Sequence, residues 1–233
     1  RYNTMNTTNE TELELAPPPQ IYLIMDLSLT ETPLDDIKTI AKEINTTEFA
    51  PLSSLLIKQN DPKSLCSKEL VKDIQAVNIA VLIEDNVPLA KSLNADGIHL
   101  SDDDEDIFKA AIETLSEDVI IGIKAKQSRH KAMIFAEEGC SYVAINLFDQ
   151  DNHQRELEEF ERPPEINWWV SLFSTPCVAW DISSTEQAIE ATKQGADFLG
   201  LAPEFWQQGE NSAKIIDECV KTTSAIERYL PAL

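Results

Sequence analysis

The chain has 233 residues, with 41 acidic against 19 basic side chains and a formal net charge of −22. So negative a surface repels phosphate backbones and anionic lipid over most of its area, which excludes nucleic acid and membrane surfaces as general partners and favours ligands that are neutral, cationic or bridged by a metal ion. A hydrophobic fraction of 42% and a charged fraction of 26% suit one globular domain, and no apolar run nears the roughly 20 residues of a membrane span.

Residues 1–20 are polar and close on Pro17-Pro18-Pro19, so they read as a flexible tail ahead of a single domain over 21–233. The opening residues lack the apolar stretch of a signal peptide, and the cysteines at 66, 140, 177 and 219 form no CxxC cluster. Reduced thiols and a cytoplasmic location are therefore expected.

Ile21-Tyr22-Leu23-Ile24-Met25 is a short continuous apolar run, as in a strand buried on both faces. A helix follows from Leu34 to Ile44, with Leu34, Ile37, Ile40, Ala41 and Ile44 on one stripe. The second strand has two candidate positions, Phe49-Ala50-Pro51-Leu52 and Leu55-Leu56-Ile57, between which the sequence does not choose. Glu69–Val77 is helical, Ile79–Asp85 is a strand ending in carboxylates, and Pro88–Leu93 is a compact helix. Gly97-Ile98-His99-Leu100 is the fourth strand, followed by the carboxylates Asp102, Asp103 and Asp104. Ile107, Ala110, Ala111 and Leu115 stripe the next helix, Val119–Ile123 is a strand, and Gly139 stops a helix containing Ala132, Phe135 and Ala136. Tyr142–Phe148 is the sixth strand, 149–164 a charged loop, and Ile166–Phe173 a helix whose Trp168 and Trp169 either pack on the domain or form a homodimer surface. Cys177–Ile182 is the seventh strand, Ser183 with Glu186 suggests a capping box, Phe198–Leu201 is the eighth strand, and Ala213–Tyr229 closes the chain.

Three junctions repeat one order of helix stop, small polar residue and apolar strand: Asn94-Ala95-Asp96-Gly97, Gly139-Cys140-Ser141-Tyr142 and Gly195-Ala196-Asp197-Phe198. Their spacing of about 50 residues is two strand–helix units, the rhythm of a (βα)8 TIM barrel. In such a barrel the chemistry lies at the carboxyl ends of the strands. Those positions hold Glu84 and Asp85, then Ser101 to Asp104, Lys124 and Lys126, Asn146, and Asp181. Carboxylates on adjacent strands suit a hard divalent cation, and lysines on the next strand suit the anion that it brings. The plain alternative is that acidic loops are solvated and cap helix starts.

The run Ala95-Asp96-Gly97-Ile98-His99-Leu100-Ser101-Asp102-Asp103-Asp104 resembles the strand-4 motif A-D-G-[IV]-H-[IL]-G-Q-x-D of thiamine phosphate synthases, a family that includes thiazole tautomerases. Gly122-Ile123, Glu138–Val143 and Gln194–Gly200 are similar to its later units. The resemblance implies joining an aminopyrimidine pyrophosphate to a thiazole phosphate with Mg2+, with Asp85 and Asp104 as metal ligands. It makes Glu84, His99, Asn146 and Asp181 substrate-binding candidates, for a phosphorylated pyrimidine or thiazole, and leaves Lys124 as the candidate catalytic group. His130 falls inside a helix and reads as solvated.

The family's Gln-x-Arg-x-Lys motif is expected near Phe49–Ser54, where neither base nor amide stands. Its glycine-rich turn after strand 7 reads Trp180-Asp181-Ile182-Ser183, and its small-residue run after strand 8 reads Ala202-Pro203-Glu204. These departures favour a catalytically degenerate member in or near thiamine metabolism. The alternatives are a working synthase and a different acid/base reaction at the same mouth.

Overall fold

A computed structural model describes residues 15–31, 33–45, 51–58, 66–126, 128–147, 158 and 161–229. The apolar runs form eight parallel strands: β1 (Gln20–Asp26), β2 (Leu52–Lys58), β3 (Ala80–Glu84), β4 (Gly97–Leu100), β5 (Ile120–Lys124), β6 (Tyr142–Asn146), β7 (Cys177–Ile182) and β8 (Phe198–Leu201). They pair in sequence order and β8 returns to β1, closing the (βα)8 TIM barrel that the repeat rhythm predicts. The helices are α1 (Pro33–Ile44), α2 (Lys68–Gln75), α3 (Val87–Leu93), α4 (Glu105–Thr114), α5 (Arg129–Glu137), α6 (Ile166–Leu172), α7 (Thr185–Lys193), α8 (Pro203–Trp206) and α9 (Ser212–Ser224).

Strand side chains alternate between two cores. Ile21, Leu23, Met25, Leu55, Ile57, Val81 and Ile83 belong to the large core shared with the helices. Tyr22, Ile24, Leu56, Leu82, Tyr142, Ala144, Val178 and Trp180 fill the barrel interior.

The three repeated junctions are latches at the amino-terminal face. Asp96 accepts the Val81 N–H at 2.7 Å, Ser141 Oγ accepts that of Ile121 at 3.0 Å, and Asp197 accepts that of Cys177 at 2.8 Å. Strands β4, β6 and β8 are thus each preceded by a side chain that holds one of the first two residues of the strand before it. The helix stops that precede them, Asn94, Gly139 and Gly195, all have positive φ (54°, 96° and 97°), which an asparagine tolerates and a glycine adopts freely.

Several sequence expectations shift. The second strand is the later candidate: Leu55-Leu56-Ile57 lies at its centre, while Pro51 stands just ahead and its carbonyl accepts the Ile21 N–H, so the missing proline donor costs no ladder bond. Phe49 and Ala50 lie outside the described residues, as do residues 1–14, Phe148 and residues 149–157, 159 and 160 of the charged loop. Within the expected tail, Leu15 bridges Tyr229 antiparallel and Gln20 already belongs to β1. The cap of α7 is Ser184 rather than Ser183, and Gln187 also reaches back, its Oε1 accepting the N–H and hydroxyl of Ser183. The closing helix ends at Ser224, short of Tyr229. The one-turn α8 was not foreseen; Gln207, which follows it, clasps both the N–H and the carbonyl of Asp26.

Candidate active site

Continuing the inward alternation to the carboxyl ends puts Lys58 (β2), Glu84 (β3), Lys124 (β5) and Asn146 (β6) around the mouth. Lys58 Nζ lies 3.7 Å from Glu84 Oε1. Burial raises the Glu84 carboxyl above its ordinary value; Lys58 and Lys124 oppose the rise and Asp85 adds to it. The mouth therefore sets one carboxyl between two ammonium groups on a partly dry surface. The Asn146 Oδ1 is buried with no hydrogen-bond partner among the described residues.

His99 lies below this ring, fully buried. Its imidazole stacks on the Trp180 indole, with centroids 4.1 Å apart and planes 16° off parallel. Its Nδ1 is 2.9 Å from the Tyr142 hydroxyl, which lies 2.8 Å from that of Tyr22. Desolvation, with Lys124, Lys58 and Lys126 adding to it, pushes the imidazole down to about 3, so it is neutral at ordinary pH. Burial likewise raises both phenols.

Gly122 makes room for this arrangement: a Cβ there would fall 1.9 Å from Tyr142 Cζ and 2.3 Å from its hydroxyl oxygen. Gly122→Ala is expected to displace the Tyr142 ring and destabilise the barrel by about 1–3 kcal/mol, read as a lowered urea midpoint. An unchanged midpoint would show that the ring is not held there.

The two expected metal ligands each have protein partners. Asp85, at φ 51°, accepts the Ser101 N–H at 2.8 Å through Oδ1 and the Ser101 hydroxyl at 2.5 Å through Oδ2. Asp104 caps α4, its Oδ1 accepting from Asp106 and Ile107. Among the described residues no group of three or more His, Cys, Asp or Glu could hold a metal ion. A cation arriving with a pyrophosphate would share Asp85 with Ser101.

Asp181 is exposed at φ 66°, a left-handed backbone that glycine takes without strain, beside a register shift in β7. Pro203 and Glu204 open α8, the first without an N–H to offer and the second with a negative charge. His130 is exposed on α5, and Lys126 pairs with Asp102 at 3.6 Å, away from the interior. Of the two tryptophans of α6, Trp169 is core, stacked on Phe173 at 4.3 Å and donating to the Thr175 carbonyl, while Trp168 lies under the Arg129 guanidinium at 4.4 Å. The four cysteines are free and buried. Among the described residues no helix is long and apolar enough to cross a membrane.

The structure thus brings Glu84, His99, Lys124 and Asn146 to one end of the barrel, leaves Asp104 in a helix cap and turns Asp181 to solvent. Sequence reasoning passed over Lys58, Tyr22 and Tyr142. The signal for Lys58 was the one used elsewhere, a polar residue directly after an apolar run.

Comparison with known proteins agrees with this architecture. A family model described as thiamine monophosphate synthase matches residues 57–201. The thiamine-phosphate synthase of Erythrobacter litoralis is 34% identical over 150 residues, covering 62% of this chain and 70% of that protein. That of Hyphomonas neptunium is 29% identical over 212 residues, covering 86% and 91%. Among solved structures, a thiamine phosphate pyrophosphorylase from Pyrococcus furiosus superposes with a TM-score of 0.65 at 19% identity, over 88% of this chain and 96% of that one, a likeness of fold. A family match over residues 57–201, more than half of the chain, means that the chain belongs to the thiamine monophosphate synthase family.

Proposed function

We propose that this barrel binds one phosphorylated heterocycle of the thiamine-precursor class at its carboxyl-end mouth and does not join two of them. The observation that carries this is the mouth itself, where Lys58, 3.7 Å from Glu84, and Lys124 supply two cations for one phosphate. The phosphate-holding turns point the same way. Asp181 replaces a family glycine with a carboxylate, and Pro203 and Glu204 remove an amide and add a charge where a phosphate needs close N–H groups.

The family's Gln-x-Arg-x-Lys pattern, set on β2 with its lysine at Lys58, puts Leu56 at the arginine position and Ser54 at the glutamine position. One cation of that grip survives, and Lys124 supplies a second from β5. Two ammonium groups suffice to hold a monophosphate, while the loss of the planar guanidinium removes bidentate recognition of a pyrophosphate. The surviving lysine also favours a second reading, a working synthase with a rebuilt grip.

Calorimetric titration separates the two. Thiazole phosphate is expected to bind wild type, with or without Mg2+, and to bind Lys58→Ala at least about tenfold more weakly, a loss of about 1.4 kcal/mol. Incubation with both precursors and Mg2+ is expected to yield no thiamine phosphate. Measurable turnover, abolished in Asp85→Ala, would establish the synthase reading instead.

A further inference from the structure

Strand β1 outruns its neighbour on one side. It has seven residues, Gln20–Asp26, while β8 has four and pairs with it from Gln20↔Phe198 to Leu23↔Leu201. Successive residues of a strand turn their peptide groups to opposite neighbours, and the first two of β1 fix which neighbour each takes. The Gln20 N–H goes to the Asp197 carbonyl just ahead of β8, and the Ile21 N–H to the Pro51 carbonyl just ahead of β2. By that alternation Ile24 and Asp26 face the β8 side, past the point where β8 has ended. Their peptide groups need partners there, at the rim of the mouth.

Two side chains stand in for the missing strand. Trp206 Nε1 donates to the Ile24 carbonyl at 2.9 Å. Gln207 takes both groups of Asp26, its Oε1 accepting the N–H at 2.8 Å and its Nε2 donating to the carbonyl at 3.1 Å. A side-chain amide offers the same acceptor and donor as a peptide, so Gln207 reproduces the two bonds that a further residue of β8 would make. Pro203, which could not extend the ladder as a donor, starts α8 directly after β8 and brings the buried Trp206 back onto β1.

The other side of Asp26 leads to the site. Asp26 is the register partner of Lys58, the last residue of β2, whereas β3 pairs with β2 only as far as Ile57↔Ile83. Among the described residues, Lys58 therefore has its strand neighbour in β1 alone. We propose that Gln207, with Trp206 behind it, is a positioning residue that fixes the carboxyl end of β1 and, through it, sets the Lys58 ammonium opposite Glu84. A phosphate entering the mouth then meets a cation already in place. The benefit to phosphate rests on the ligand-binding reading above; the hold on Lys58 does not.

Hydrogen exchange and carbon-13 NMR of lysine-labelled protein test the hold without ligand. In Gln207→Ala the Asp26 amide is expected to lose at least about tenfold of its protection, while the Val81 amide, held by Asp96 at the opposite face, keeps its own. The Lys58 Cε resonance, assigned with Lys58→Arg, is expected to move in Gln207→Ala and, by less, in Trp206→Phe, with that of Lys109 on the outer face unmoved. An unchanged Asp26 amide overturns the clasp. Lost Asp26 protection with an unmoved Lys58 resonance overturns the positioning role. Thiazole phosphate is expected to bind Gln207→Ala about three- to fivefold more weakly than wild type, a smaller loss than in Lys58→Ala. A moved resonance with unchanged affinity sinks the benefit to phosphate alone. Absence of binding to wild type sinks the ligand reading and that benefit together, and the hold on Lys58 is then judged by the two ligand-free measurements.

Discussion

Trp180→Ala is expected to destabilise the protein by about 3–5 kcal/mol, the usual cost of truncating a buried tryptophan. The indole is 6% exposed, packs flat on His99 and lies 5.8 Å from the Tyr22 ring, so alanine leaves a cavity bounded by rigid aromatic groups that collapse poorly. The urea midpoint measures the loss, and far-UV circular dichroism should show the barrel intact in the absence of denaturant. The same variant bears on function. If the indole is what fills the space of a second ring, Trp180→Ala should bind aminopyrimidine pyrophosphate on the order of tenfold more tightly than wild type does. Unchanged or weaker binding would mean that the missing guanidinium at Leu56, rather than the filled interior, keeps the pyrimidine out.

A second large effect is expected on acidification. Unfolded, His99 titrates near the ordinary histidine value of 6.5; folded, it is pushed down to about 3. Between those values the unfolded chain binds a proton that the native barrel refuses. The contribution is fully present above 6.5 and is lost as the pH falls toward 3, at up to about 1.4 kcal/mol per pH unit. Glu84 and Asp197 act with the opposite sign, since burial raises both and the native state then holds their protons more tightly. The diagnostic quantity is therefore the difference between wild type and His99→Gln. Wild type should lose stability more steeply between pH 6 and pH 4, as read from urea midpoints, and parallel curves would show that the imidazole is not kept neutral.

How much of this was visible in the sequence depended on what each feature answers to. Runs such as Ile79-Ala80-Val81-Leu82-Ile83 can hardly be anything but buried strand, and the repeated helix stops marked where strands begin, so the barrel was legible. The second strand was not, because Pro51 splits two short apolar pieces, and with its position open Lys58 dropped out of the site. Asp104 shows a different limit. A carboxylate at a helix start serves an N-cap and a cation equally well, and the sequence alone does not separate those chemistries. The chain from Tyr22 through Tyr142 to His99, with Trp180 on its face, is a product of register around a closed sheet: β5 lies between β4 and β6, and Gly122 must be small for the rings to meet. No local pattern encodes a contact between residues 120 positions apart.

The latches at the amino-terminal face also bear on the order in which a growing polypeptide can take shape. Strand β3 gains its side-chain hold only when Asp96 has been made, β5 when Ser141 has, and β7 when Asp197 has. The Gln20 N–H, at the start of β1, finds its acceptor in the Asp197 carbonyl. In synthesis from the amino end, each of these holds becomes available only after the strand it serves has been made. The first strand waits as an unpaired edge, open to other chains, until the last pair arrives.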